Sequence, residues 1–203
     1  NMTEHSIRTL HQMLTSTLTQ EQLPQKQRGT SKDIANDIVE RNQWTGDEKV
    51  WFRTTPPGAL TEAAMTDLLS SYQALDEDNE LPKMILASVF IVHFLAIHPF
   101  RDGNGRLSRL LTTAILLKAG YTWQQFSSHE KFIEDNKEAY YISLRRTQQT
   151  LGSSTIDYNP WLEFFLGTVS QQTTYVRSLL KQESSRSSLN ERETHVYLSL
   201  IHI

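Results

Sequence analysis

His98-Pro99-Phe100-Arg101-Asp102-Gly103-Asn104-Gly105-Arg106-Leu107-Ser108-Arg109 follows directly on an apolar run, residues 84–97, and leads into a second apolar-periodic stretch, residues 104–118. The run 84–97 is broken by His93 and falls short of the roughly 20 residues needed to span a bilayer. It reads instead as a buried core helix. Pro82 starts that helix, and Pro99 ends it at His98, because the residue before a proline is pushed out of the helical region. Beyond the turn, Leu107, Leu110, Leu111, Ala114 and Ile115 share one face of a helix opening at Asn104, and Gly120 lies past its end. A core helix, a glycine-bearing turn and an amphipathic helix set the frame of the fold.

Helical periodicity also dominates away from this stretch. Ile7, Leu10, His11 and Leu14 mark a first helix, and Ile34, Ile38 and Val39 mark a second over 31–42, with Ser31 or Asp33 as its cap. Val50-Trp51-Phe52-Arg53-Thr54-Thr55 is rich in aromatic and β-branched residues and is stopped by Pro56-Pro57-Gly58, which makes it a strand. Gly46-Asp47 before it supplies a turn, so a small β-hairpin is expected. A helix over 61–75 carries Glu62 in its first turn, and an acidic loop, 76–80, follows. Two further helices cover 132–149 and 160–183, and 184–188 is a polar linker. There is no internal repeat. The class is all-α, a helical bundle with one β-hairpin: a domain over 1–183, then a linker and the opening of a winged-helix-like domain in the amphipathic segment 189–203.

The chain of 203 residues is long enough for one well-buried domain, and 38% hydrophobic with 21% charged residues is an ordinary globular composition. A net charge of −3 argues against a general nucleic-acid binder. Without cysteine there is no disulfide, thiolate metal site or cysteine nucleophile, and a reducing, cytoplasmic setting fits. The stretch 2–18 has no continuous signal-peptide core. Asn1 precedes Met2, and the other end falls inside an amphipathic segment, so both ends read as fragment boundaries.

The turn assembles specific chemistry. Proline forces the chain out of the helix after His98, so the imidazole projects into the loop, and its ordinary pKa near 6.5 suits proton acceptance at neutral pH. Gly103-Asn104-Gly105 sits at a helix N-terminus, where unpaired N–H groups and the helix dipole favour an anion. No Gly-Lys-Ser/Thr follows, so this is not a P-loop. Arg106 and Arg109, three apart, share a face and oppose the dipole unless they meet anions. Asp102 is the one carboxylate within the stretch and, beside a polyphosphate, a ligand for Mg²⁺. The competing arrangement is a metal-hydrolase site of His93, His98 and Asp102. Pro99 breaks the helix that would align them, and no further ligand completes the set.

Nine fixed positions, His-Pro-Phe-x-Asp-Gly-Asn-Gly-Arg-x-x-Arg, match a given pattern by chance with a probability on the order of 10⁻¹². The pattern resembles the signature of the Fic family, and the likeness covers roughly residues 1–180, most strongly 84–118, with Phe94 and Ile97 in the approach helix. The resemblance implies a nucleotidyltransferase that moves AMP from ATP to a Ser, Thr or Tyr hydroxyl of a target protein. His98 would be the general base and Asp102 would hold Mg²⁺. Gly103, Asn104, Gly105 and the loop amides would form the anion cradle, with Arg106 on the phosphates and Arg109 at the γ end. Phe100 would anchor the loop, and Asn136 and Tyr140 would receive the nucleoside. The strand Val50, Trp51, Phe52 and Arg53 would be a flap that clamps a target segment by strand pairing.

Relatives of this kind also transfer UMP, phosphocholine or phosphate, or remove AMP. Those that transfer phosphate usually depart at the second glycine, and Gly105 is present here. From a different class, a regulatory or DNA-binding module on the same scaffold would use the segment 189–203, and nucleic acid enters only through such a domain. A homodimer is compatible with the pattern, and no membrane partner is expected. Many relatives carry an inhibitory Ser/Thr-x-x-x-Glu-Gly/Asn helix whose glutamate pairs with the second arginine. Thr17 and Glu21 have that spacing, but Gln22 follows; Ser178 and Glu183 are one residue too far apart. Arg109 is therefore expected to be free of an inhibitory partner.

Overall fold

The computed structural model describes residues 2–41 and 45–186. Thr3 and Ser6 exchange hydrogen bonds in a capping box that starts α1 (Glu4–Leu14), whose buried face carries Ile7 and His11. The chain then runs irregularly, apart from one 3-10 turn at Gln25–Gln27, to β1 (Ile38–Arg41). This strand pairs antiparallel with β2 (Glu48–Phe52), Ile38 facing Phe52 and Arg41 facing Glu48. Next come α2 (Ala59–Asp78), α3 (Lys83–Ile97) and α4 (Asn104–Lys118). A 3-10 turn, Thr122–Phe126, leads to α5 (His129–Asp135), α6 (Lys137–Gln148) and α7 (Asn159–Arg186).

The apolar run forms the axis of the bundle. Leu86, Phe90, Phe94 and Leu95 are buried on different sides of α3, which α2, α4, α6 and α7 all contact. A helix apolar all round is stable only when enclosed in this way. Trp161, at the start of α7, is 1% exposed, and its indole N–H donates to the Ser88 carbonyl at 2.9 Å. Leu107 and Leu111 of α4 and Phe165 of α7 complete the core. No described helix is long and apolar enough to cross a membrane.

Four expectations need correction. The helix expected over 31–42 is absent: Ser31 forms an isolated bridge with Phe100, and Ile38 and Val39 belong to β1. Ile34 is 47% exposed, so the apolar stripe that suggested a helix has no core to face, and the pairing of β-branched residues with β2 prevails. The acidic loop begins later than expected. α2 runs to Asp78 and stops at Asn79 in the left-handed conformation, while the Asp76 carboxylate ties α2 to Lys83 (2.8 Å) and Lys118 (3.6 Å). The helix over 132–149 is two, broken at Asn136 (φ −122°, ψ 31°), and Ser128 caps the first of them. Finally, α7 continues to Arg186, through the start of the expected linker. The segment 189–203 lies outside the described residues.

Candidate active site

The end of α3 delivers His98 in the left-handed conformation (φ 54°, ψ 58°). A non-glycine residue there costs about 1–2 kcal/mol, which the surroundings must offset. His98 Nδ1 lies 3.2 Å from the Leu95 carbonyl. A carbonyl only accepts, so Nδ1 carries the proton and Nε2 is left with its lone pair. Burial lowers the imidazole pKa to about 4, and the nearby charge of Lys32 acts in the same direction. The side chain is therefore a neutral base with its accepting nitrogen fixed.

The following loop is stapled from several sides. Phe100 is buried, and its ring stacks on His11 at 3.9 Å between centroids and 7° between planes. The Gly29 N–H donates to His11 Nδ1 (2.8 Å), so His11 Nε2–H donates to the Asp102 carbonyl (2.8 Å). The Asn104 side chain accepts from the Phe100 N–H (2.9 Å) and donates to the Phe100 carbonyl (2.6 Å). Gly103 starts α4 with φ 82°, a conformation that strains any side chain, and its N–H donates to Asp102 Oδ1 at 2.6 Å. The first intrahelical bond runs from the Leu107 N–H to the Gly103 carbonyl. The N–H groups of Asn104, Gly105 and Arg106 precede it and are left to face an anion.

Charge gathers at the same helix end. Arg106 makes a long contact, 3.4 Å, with the exposed Asp102 carboxylate. Arg109 is more enclosed; its Nη2 meets Glu130 Oε1 of α5 at 2.8 Å, and its Nη1 lies 3.4 Å from where a Gly105 Cβ would stand. A side chain at 105 would thus crowd the second arginine. Asp102 offers a hard, solvent-facing oxygen beside the unpaired amides, a donor type that suits Mg²⁺ shared with phosphate oxygens.

Against this geometry, a family model described as "Fic/DOC family" matches residues 1–116. The chain belongs to the Fic/DOC family. A protein adenylyltransferase Fic of Drosophila grimshawi is 27% identical over 146 residues, which is 70% of this chain and 29% of that protein. A probable protein adenylyltransferase of Aquifex aeolicus is 37% identical over 71 residues, 35% of this chain and 22% of that one. The chain thus spans less than a third of the length of these curated relatives. Among solved structures, a Fic family protein from Desulfovibrio desulfuricans has a TM-score of 0.63 at 25% identity, covering 90% of this chain and 48% of that one. A Fic domain-containing signaling protein from Bacteroides thetaiotaomicron has a TM-score of 0.64 at 24% identity, covering 86% and 62%.

Not every residue that the Fic resemblance implicates lies where expected. The Asn104 side chain is 1% exposed and committed to Phe100, so only its backbone N–H reaches the cradle. Tyr140 is a core residue, edge-on to Tyr141, Trp161 and Phe164, with burial pushing its hydroxyl pKa up to about 12. It presents no free face to a nucleobase. Asn136 spends its amide on the Phe132 carbonyl (2.8 Å) and Gln171 (3.4 Å).

The flap residues lie on or beside β2. Val50 is 46% exposed, Arg53 is exposed, Phe52 is half-buried, and Trp51 lies under the Arg145 guanidinium of α6 at 4.6 Å. His93 points away from the loop to the Tyr158 hydroxyl (2.7 Å), and no metal-ligand cluster exists among the described residues. Residues 17–21 are not helical. Arg109 pairs with Glu130 of α5, which lies in neither of the two segments weighed as an inhibitory helix. Sequence reading missed Glu130 and also His11, Lys32 and Asn36, whose polar groups hold the loop from behind.

Proposed function

We propose that the domain transfers AMP from ATP to a hydroxyl side chain of a protein. The observation that carries this reading is the His98 imidazole, its proton fixed on Nδ1 and Nε2 left open, on the same short loop as an anion-ready helix N-terminus. The target hydroxyl gives its proton to His98 Nε2 as its oxygen bonds to the α-phosphorus. The bond from that phosphorus to the β-phosphate oxygen breaks, pyrophosphate departs, and the imidazolium later returns its proton to solvent. Phosphoryl-type transfer needs chiefly positioning and charge stabilisation, and those are what the loop offers.

The amides of Asn104, Gly105 and Arg106 receive phosphate oxygens, Arg106 pairs with them, and Arg109 meets the distal end once it leaves Glu130. Asp102 would hold Mg²⁺, which when bound supplies charge neutralisation between phosphates. The hairpin is the flap for an extended target segment, with Val50, Trp51, Phe52 and Arg53 along or just past β2. The names of the Drosophila and Aquifex relatives support AMP as the transferred group. We place the activity in the cytoplasm, where ATP is abundant.

The test is paired labelling. A lysate or purified acceptor is incubated with the protein, Mg²⁺ and ATP labelled either in the α-phosphate or in the γ-phosphate. AMP transfer puts only the α label into protein. Incorporation of the γ label would instead make the domain a kinase.

A further inference from the structure

The hairpin and His98 come from separate parts of the chain, yet one buried ammonium group joins them. Lys32 is 2% exposed, and its Nζ donates to Asn36 Oδ1 (2.7 Å), Thr54 Oγ1 (2.8 Å) and the Ile97 carbonyl (3.0 Å). Three N–H donors meet three acceptors, and none of these is a carboxylate. Asn36 lies just before β1 and Thr54 just after β2, so these residues are the two ends of the hairpin. They are also bonded to each other, Thr54 Oγ1–H to Asn36 Oδ1 at 3.0 Å, and the Thr54 N–H donates to Asp37 at 3.0 Å.

Lys32 and Asn36 also hold the peptide around His98. The Asn36 amide donates to the carbonyls of His98 (3.2 Å) and Phe100 (2.7 Å), and the Lys32 backbone N–H donates to that of Pro99 (2.8 Å). The carbonyls of Ile97, His98, Pro99 and Phe100 are thus all engaged from residues 32 and 36. An ammonium can only donate, which fixes the Asn36 amide orientation and leaves its nitrogen for the two carbonyls.

Burying a lysine away from any paired carboxylate is unfavourable, and the Nζ pKa falls to about 8 through desolvation, with Asp37 opposing the shift. An apolar side chain of the same length would remove the desolvation cost of the charge but leave the Ile97 carbonyl and the Asn36 and Thr54 oxygens without this donor. What it would not do is register the hairpin against a histidine held in a left-handed conformation.

We infer that Lys32 and Asn36 are positioning residues that lock the hairpin's base to the peptide of His98. The segment gripped by the hairpin and the base that deprotonates it therefore share one frame. This inference rests on the adenylyl-transfer reading for its kinetic consequence and on geometry alone for the lock.

Two variants of the full chain test it, Lys32→Met and Asn36→Asp. The first removes the three donors with little change in volume; the second keeps an acceptor for Lys32 but loses both N–H bonds to the loop. Each should lower kcat for target modification by about ten- to a hundredfold, the scale of a misplaced reacting group. KM for ATP should stay within about twofold, because the α4 cradle is held by His11 and Asn104 instead. Lys32→Met should melt somewhat lower than the wild type, so kcat is compared well below its melting temperature.

An independent readout needs no substrate. The ¹³Cα and ¹³Cβ shifts of His98 should leave their left-handed values in both variants. Unchanged shifts with wild-type kcat would overturn the lock even if adenylyl transfer stands. Moved shifts in a protein that transfers some other group would keep the lock and remove the transfer reading.

Discussion

His98 illustrates how a single side chain acquires its chemistry from its surroundings. Burial holds its pKa near 4 in the folded protein, against 6.5 when unfolded, so the neutral imidazole persists well below neutral pH. The rate of transfer should therefore stay level as pH falls from 7 to about 5 and decline only as about 4 is approached. A pH profile of kcat/KM, which reports the unliganded enzyme, checks this; loss of half the activity near 6.5 would show an ordinary, solvated imidazole. Arg109 is the second residue whose state is set by a neighbour. Its partner Glu130 is 61% exposed, and such pairs are worth at most about 1 kcal/mol. Glu130→Ala should tighten ATP binding by no more than about fivefold, measured by calorimetry.

The candidate site residues within 98–109 stand out in the sequence because they are contiguous and locally unusual. His11, Lys32 and Asn36 do not, since each looks ordinary in its own stretch and gains its role by meeting a loop 64 to 91 positions away. Tyr140 misled for the opposite reason: one turn beyond Asn136 on α6, it faces the core rather than the site.

At the scale of elements, α3 and α4 were readable from period and punctuation alone: α4 spans Asn104–Lys118, as its spacing predicts. The segment 31–42 was not. Its three apolar residues satisfy a helical spacing, but its polar residues satisfy the loop, and a helix would withdraw Lys32 and Asn36 from the carbonyls they hold. The hairpin that results is tied to the bundle through Trp51, whose ring lies 4.6 Å under the Arg145 guanidinium of α6, while Lys49 Nζ of the same strand covers the ring at 4.0 Å. Contacts of this kind contribute about 0.5–1 kcal/mol each at exposed sites. Trp51→Ala should thus raise KM for the target roughly fivefold or more, with ATP affinity unchanged. Equal losses for target and ATP in steady-state kinetics would count against a flap that acts on the target alone.

The whole molecule carries a common electrostatic cost in its interior. Burial lowers the pKa of His11, His93, His98 and His129 below 6.5, so the folded state binds fewer protons than the unfolded chain just below that pH. Stability must then rise with pH in this range, and acidification from pH 7 to 5 should lower the urea midpoint. A midpoint that rises on acidification would mean that these imidazoles gain protons on folding.

The α4 cradle is held by His11 and Asn104 and not by the His98 side chain, which allows a direct test of the base. His98→Ala leaves the α4 cradle, Arg106 and Asp102 in place, so calorimetry should show ATP affinity within about twofold of wild type. With affinity intact, the single-turnover rate of α-labelled AMP transfer to the acceptor should fall by about 10²-fold or more, the usual worth of a general base. Transfer at close to the wild-type rate in that variant would contradict the assignment of His98 and the mechanism built on it.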